Sequence, residues 1–346
     1  MARWLAIRRR NSHTRCYLKK AFSLVETIAI TGASGFIGRH LLAKLVSRDD
    51  RRIKVLSRAR KNDLRESKSG SSVEIVPGDV LDRKALRELI EPGSTVVNLV
   101  YLAQAGEAKN LEACTVLLAA CKAAKVRRLI HCSTASVVGG VPDDVVTEKT
   151  VCQPVTGYAS AKLKIELAIF AGALDSFEAT ILRPTAVFGA EGENLNKLAR
   201  DLTSGDRMRN FLRSCLFGSR RMNLVYIDNV VASIIFLADC ESNLGGEVFN
   251  VADAESALNN FSDVERILMR ELGVPTYGFP KPRVPLSVLA LLLKFRRRDI
   301  INPHCNFSSD KLLGLGFERP VSFETGLVEY ANWFRQSRYH NSSAAI

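Results

Sequence analysis

Six short apolar runs constrain this chain more than any other feature. Thr27–Ile30, Ile53–Leu56, Val73–Val76, Thr95–Leu99, Arg128–Cys132 and Thr180–Leu182 show no alternation of polar and apolar residues, the pattern of strands buried on both faces. Amphipathic stretches separate them, with Ile37, Leu41 and Leu45 recurring every four residues as on one face of a helix. Repeated strand–helix–strand order predicts an α/β fold: a Rossmann-type doubly wound parallel sheet with right-handed crossovers. Such sheets bind ligands beyond the C-terminal ends of their strands, so the turns after the strands are where chemistry is to be sought.

After Pro184 the pattern turns irregular. Residues 191–222 are polar, basic and broken by glycines, before Asp228–Asp239 and Glu247–Val251 restore a helix and a strand. Ser262–Leu272, Leu286–Phe295 and Phe323–Arg335 read as further helices. The expected plan is a basic extension at 1–22, a sheet domain from 23–185 plus 225–252, and a smaller C-terminal cap from 186–224 plus 253–340. A hydrophobic fraction of 47% across 346 residues excludes a disordered chain. The longest apolar run, 286–295, falls short of the roughly 20 residues that cross a bilayer.

The formal charge of +13 suggests nucleic acid until it is mapped. Seven basic residues and no acid lie in the first twenty positions, leaving about +6 for the rest. The remaining clusters are scattered, which suits anionic small molecules at least as well as a nucleic-acid face, and no nucleic-acid partner is expected. The extension has no long apolar centre, so it reads as a transit-peptide-like or disordered tail rather than a secretory signal. Eight cysteines form no C-x-x-C pair and sit near no histidine at metal-ligand spacing, so reduced thiols, a cytoplasmic setting and no metal are expected.

Directly after the first strand comes Thr31-Gly32-Ala33-Ser34-Gly35-Phe36-Ile37-Gly38. Gly32 suits a tight turn, Gly35 lets the backbone approach a pyrophosphate, and Gly38 allows close helix–strand packing. The helix start at Ser34, Phe36 and Ile37 then offers N–H groups and a positive dipole end to phosphates. At the end of the second strand stands Arg58, where an acid would bind ribose hydroxyls and an arginine suits a 2′-phosphate; NADP is therefore favoured slightly over NAD, although a solvated basic loop accounts for Arg58 nearly as well. Asp79, followed by Val80, closes the third strand, placed to contact an adenine or to cap the helix after it.

Tyr158 and Lys162 lie four residues apart, hence on one helix face. A phenol is a poor base near neutrality, but an adjacent ammonium favours its ionised form and lowers its pKa. Tyr158 could then exchange a proton with a substrate hydroxyl while hydride leaves or reaches the same carbon. Ser133 and Thr134 follow the fifth strand and offer hydroxyls that could orient the substrate oxygen.

Taken together, T-G-A-S-G-F-I-G, G-D-V, S-T-A-S-V-V-G, Y-A-S-A-K, I-L-R-P-T-A-V-F-G and G-G-E-V-F-N-V appear in order across residues 27–251. The chain resembles the extended short-chain dehydrogenase/reductases, specifically the NAD(P)-dependent epimerase/dehydratase family. The resemblance implies Thr134, Tyr158 and Lys162 as the catalytic set. It implies Gly32, Gly35 and Gly38 as the phosphate turn, Asp79 and Val80 as adenine contacts, and Arg183-Pro184-Thr185 beside the nicotinamide. Most relatives act on nucleotide sugars gripped by the cap, for which Asn194, Arg213, Arg220 and Arg221 are the candidates beside Ser133, with solvated surface charge the alternative for each. Ala135-Ser136 stands where family 4,6-dehydratases carry Asp-Glu, and Asn98-Leu99-Val100 replaces the common His-Leu-Ala.

The leading expectation is a nucleotide-sugar oxidoreductase or epimerase working through a keto intermediate at a ring carbon, expected to be C4, with a homodimer through the helices beside Tyr158. A 3β-hydroxysteroid dehydrogenase-like enzyme on a sterol or other lipid alcohol is the second, and a catalytically silent NADP-binding scaffold the third.

Overall fold

The computed structural model describes residues 26–58, 73–280 and 302–343, with side chains to 338. The basic extension, residues 59–72 with Arg60 and Lys61, and the apolar run 286–295 lie outside the described residues. In chain order the elements are β1 (Thr27–Thr31), α1 (Phe36–Arg48), β2 (Arg52–Ser57), β3 (Val73–Pro77), α2 (Arg83–Leu89), β4 (Thr95–Asn98), α3 (Gly106–Ala124) and β5 (Arg128–Cys132). A 3₁₀ turn at Ala135–Val138 leads to β6 (Val145–Val146), α4 (Gly157–Ala173), β7 (Glu178–Pro184), β8 (Ala186–Phe188), α5 (Asn196–Ser204), α6 (Arg207–Phe217) and β9 (Leu224–Tyr226). Then come α7 (Ile227–Asp239), β10 (Glu247–Val251), α8 (Phe261–Glu271), β11 (Asn306–Phe307), α9 (Asp310–Gly314) and α10 (Phe323–Ser343).

Seven strands form one sheet in the order β10-β7-β5-β4-β1-β2-β3, every pair parallel. Adjacent residues explain why the strands do not alternate. Ile28 and Ile30 enter the core shared with α1 and α7, while Ala29 between them enters the core under α2, α3 and α4. The chain reverses its winding between β1 and β4, so the two strand ends part there and open a crevice. Two small parallel pairs, β8–β9 and β6–β11, flank it.

Residues 191–222, irregular in sequence, contain two helices. Leu198, Ala199 and Leu202 give α5 a buried stripe, and Asp206 caps α6 by accepting from the Met208 and Arg209 N–H groups. Charged residues around that stripe hid the period. A third core, Val137, Val138, Val141, Val146, Ala252 and Phe307 among its members, supports the segment after β5.

The helix that carries Tyr158 is fixed to the sheet by a buried ion pair. Arg183 on β7 donates to Glu166 on α4 through Nη2 at 2.5 Å and Nε at 3.1 and 3.2 Å, with the two side chains 6% and 2% exposed. Removing one partner strands a buried charge. Glu166→Ala should therefore lower unfolding free energy by about 3–5 kcal/mol, whereas Glu166→Leu combined with Arg183→Met should cost less than that single change. Urea denaturation of the three proteins checks this; equal or larger loss in the double variant contradicts it.

Candidate active site

The turn after β1 is built for close approach. Gly32 has φ +81°, and a Cβ there would lie 3.0 Å from the Leu99 carbonyl carbon. A Cβ on Gly38 would stand 2.1 Å from the Gly32 oxygen, so α1 can begin against the turn only with glycine there. No side chain caps α1 and its first turn has no acid, leaving an N-terminus suited to an anion. Phe36 and Ile37 pack against the core, and Ser34 is exposed.

Around this cradle stand the other dinucleotide candidates. Ser57 is buried at the end of β2 and Arg58 beside it is exposed. Asp79 does not cap the following helix: Asp82 does so, accepting from the Lys84 and Ala85 N–H groups, while Asp79 Oδ1 accepts from Leu81 N–H at 3.0 Å. Val80 and Pro184 are buried. Ser133 Oγ, in the residue after β5, is buried with no hydrogen-bond partner, an orphaned group. An uncapped helix start, a cradle that side chains would fill and an orphaned hydroxyl together fit a dinucleotide.

The catalytic candidates come from β5 and α4. Thr134 follows β5, and its Oγ1 accepts from Ser136 N–H at 3.2 Å. Thr156 caps α4 by accepting from Ala159 N–H, which sets Tyr158 on the first turn and Lys162 one turn later. Lys162 is 3% exposed, and its Nζ donates to the Cys132 carbonyl at 2.9 Å. Burial lowers its pKa, with Cys132 and Glu166 opposing. The lowered Tyr158 pKa expected from an adjacent Lys162 is not what the protein alone shows: the phenol is shifted upward by other neighbours. Burial pushes the phenol up to about 12, Cys132 and Tyr101 add to the rise, and the Thr134 hydroxyl opposes it. Tyr158 is therefore a protonated acid near neutrality, and turning it into a base needs further positive charge.

Beneath the site a buried polar network joins three strand ends. Thr31 Oγ1 donates to Asn98 Oδ1 at 2.8 Å, and Asn98 Nδ2 lies 3.0 Å from His131 Nδ1. Burial, then the Lys162 charge, holds His131 well below the usual imidazole range, so it is neutral. Beyond Asn98 comes Tyr101, which sequence reasoning did not single out. Its ring meets that of Tyr158 edge-on, centroids 4.9 Å apart, and Lys162 Nζ lies 5.1 Å from its centroid.

The residues expected to grip a substrate are engaged with neighbouring backbone and side chains. Asn194 Nδ2 donates to Val187 O at 2.6 Å; Arg213 pairs with Asp201 at 2.5 Å and lies over the Phe261 ring. Arg221 Nη2 donates to the Ala254 carbonyl and to Asn306 Oδ1. Arg220 ties its backbone to Phe217 and Phe261. Among the described residues no His, Cys, Asp and Glu cluster could hold a metal, and no helix is long and apolar enough to cross a membrane.

With this geometry in place, comparison with known proteins identifies the family. Residues 28–252 match the model of the NAD dependent epimerase/dehydratase family. The chain is 26% identical to UDP-glucuronate 4-epimerase 3 of Arabidopsis thaliana, over 94% of this chain and 80% of that protein. It is 27% identical to the human sterol-4-alpha-carboxylate 3-dehydrogenase (decarboxylating), over 75% of this chain and 69% of that one. The crystal structure of UDP-glucuronic acid 4-epimerase from Bacillus cereus in complex with NAD superposes with a TM-score of 0.66 at 20% identity, covering 90% of this chain and 99% of that one. The chain belongs to the NAD-dependent epimerase/dehydratase family and is an NAD(P)-dependent enzyme of the extended short-chain dehydrogenase/reductase type.

Proposed function

We propose that the protein is an oxidoreductase or epimerase that interconverts a secondary alcohol and a ketone at a ring carbon of a nucleotide sugar, at C4. The observation that carries this reading is the convergence of Thr134, Tyr158 and Lys162 at the ends of β5 and α4, beside the dinucleotide cradle. The bound coenzyme supplies the hydride acceptor and donor. Tyr158, protonated as the chain folds, gives its proton to the forming alkoxide when the ketone is reduced, and recovers it when the alcohol is oxidised. Thr134 orients the substrate oxygen, and Lys162 supplies the fixed positive charge and a donor for the nicotinamide ribose. Return to the alcohol on the opposite ring face is epimerisation; net gain or loss of two electrons is reduction or oxidation. Ala135 is buried and Ser136 carries no charge, so the turn after Thr134 supplies no acid–base pair for dehydration. A homodimer through the helices beside Tyr158 belongs to the same proposal, and Leu167 on α4 is 60% exposed.

A second reading, an alcohol on a sterol or other lipid ring, is favoured by one observation. Arg213 and Arg221 already spend donors within the cap, so a substrate diphosphate would have to compete for them. A thermal-shift screen with UDP-sugars and a sterol carboxylate, each with NAD or NADP, separates the readings, because a ligand that binds only the native state raises the melting temperature. Stabilisation by UDP-sugars alone supports the first; stabilisation by the sterol alone replaces it with the second.

Tyr158→Phe should reduce kcat by about 10²–10⁴ while leaving coenzyme affinity nearly unchanged. Steady-state kinetics with coenzyme titration check this, and full activity in the variant contradicts the assignment. Exposed Arg58 at the end of β2 supports NADP as the preferred coenzyme. Arg58→Asp should then shift the NADP-to-NAD ratio of kcat/KM toward NAD by about tenfold or more, as loss of one charged hydrogen bond predicts; an unchanged ratio removes Arg58 from coenzyme selection.

A further inference from the structure

We propose that a cavity between α5, α6, α8 and α10 binds a phosphate monoester carrying an aliphatic chain, at a site apart from the candidate active site. Three helix ends meet to leave this space. α5 stops at Ser204, where the Gly205 N–H still donates to the Asp201 carbonyl at 2.9 Å, and Asp206 caps α6 at once. α8 stops at Glu271; Gly273 then turns at φ +68°, the Val274 N–H donates back to the Met269 carbonyl at 2.8 Å, and Pro275 cannot continue the helix. Phe334, Arg335 and Arg338 on α10 complete the wall. The cavity holds about 630 Å³, the size of a small-molecule site, and none of its lining residues belongs to α1, β5 or α4.

The lining divides into an aliphatic part and a cationic part. Leu202 and Met269 are buried, and Leu272 and Val274 half-buried, so a chain laid on them leaves water for apolar surface. Three guanidiniums stand around them. Arg207 Nη1 donates to the Pro275 carbonyl at 3.1 Å and Nη2 to that of Thr276, while Arg338 Nη1 donates to Thr203 Oγ1 at 2.6 Å. Arg335 Nη2 donates to Asn332 Oδ1 at 3.0 Å and Nη1 to the Glu271 carbonyl at 3.5 Å. Among the described residues no aspartate or glutamate lines the cavity. The acids nearest in sequence are engaged elsewhere: Asp201 pairs with Arg213, Asp206 caps α6, and Glu271 accepts from Arg270. Three cations around one hollow repel each other, and an anion between them relieves that repulsion. A phosphate monoester offers three terminal oxygens to guanidinium forks arriving from different helices, whereas a carboxylate offers two in one plane. Arg207 already lies over the Tyr277 ring, 5.6 Å from its centroid, so that face is taken and an aliphatic body suits the cavity better than a nucleobase.

The test is calorimetric titration of the full chain with octyl phosphate below its micelle-forming concentration, with ethyl phosphate and with octanol. Saturating oxidised coenzyme is present throughout, so that the phosphate cradle after β1 is filled. One octyl phosphate should bind per chain, with ethyl phosphate and octanol each weaker by about tenfold or more, since one lacks the chain and the other the charge. Arg335→Gln combined with Arg338→Gln should weaken octyl phosphate by about tenfold or more, as loss of charged hydrogen bonds predicts. Arg266→Gln, on the exposed face of α8, should leave it unchanged. Octyl phosphate affinity that survives the double change, or falls as far in Arg266→Gln, overturns the site. Ethyl phosphate binding as tightly as octyl phosphate overturns the aliphatic chain, and octanol doing so overturns the anionic head. Circular dichroism melts show whether the double variant is folded; Arg335→Gln alone, an exposed side chain bonded within its own helix and to one carbonyl, carries the same test if it is not. The readout is binding, so its outcome is separate from that of the proposed reaction.

Discussion

One buried ammonium organises the site. Lys162 lies almost wholly out of water, where an isolated charge is costly unless something nearby stabilises it. The Cys132 carbonyl, at the end of β5, provides the hydrogen bond and ties α4 to the strand edge where open parallel sheets place their ligands. Loss of hydration lowers the Lys162 pKa and raises that of Tyr158, a residue still 43% exposed, and so favours the uncharged form of each. The free chain thus holds a protonated phenol one helical turn from a desolvated ammonium. An added positive charge at the cradle would favour the phenolate, and on the proposed function this ties proton transfer to coenzyme binding.

The scaffold around this pair is arranged to keep it rigid. α4 is fixed at its start by the Thr156 cap and at its middle by the Glu166–Arg183 pair to β7, on the same helix face as Lys162. Beneath it the Thr31–Asn98–His131 network spans β1, β4 and β5 with a neutral imidazole, so this network adds no charge beside Lys162. Within the described residues Arg221 and Arg213 brace the segments around α6 and β9, donating to the Ala254 carbonyl and to Asp201.

Much of this architecture is legible in the sequence because burial on both faces leaves its mark residue by residue. Ile28, Ala29 and Ile30 are all apolar since adjacent side chains enter two different cores. The glycine turn is legible too, because Gly32 and Gly38 are demanded by local sterics. By contrast, α5 is hidden by charged residues flanking a narrow stripe, and the start of α6 at Asp206 is a cap with no apolar period after it. Tyr101 was illegible for another reason: its neighbours, Tyr158 and Lys162, reach it only because β4 lies next to β5 in the sheet order. Charge at position i+4 was visible in sequence, but burial was not, and burial decides the direction in which the phenol is shifted. Likewise the cap arginines read as free charge until their partners are seen.

The central claim is that the Tyr158 proton is governed by the positive charge gathered around it. The most direct measurement is a carbon-13 NMR titration of protein labelled at tyrosine Cζ, with the Tyr158 resonance assigned through Tyr158→Phe. The account predicts a midpoint raised toward about 12 in the free protein that falls when oxidised coenzyme is added, and falls less when Lys162 is replaced by methionine. A Tyr158 midpoint unmoved by coenzyme, with Lys162 intact, would contradict it.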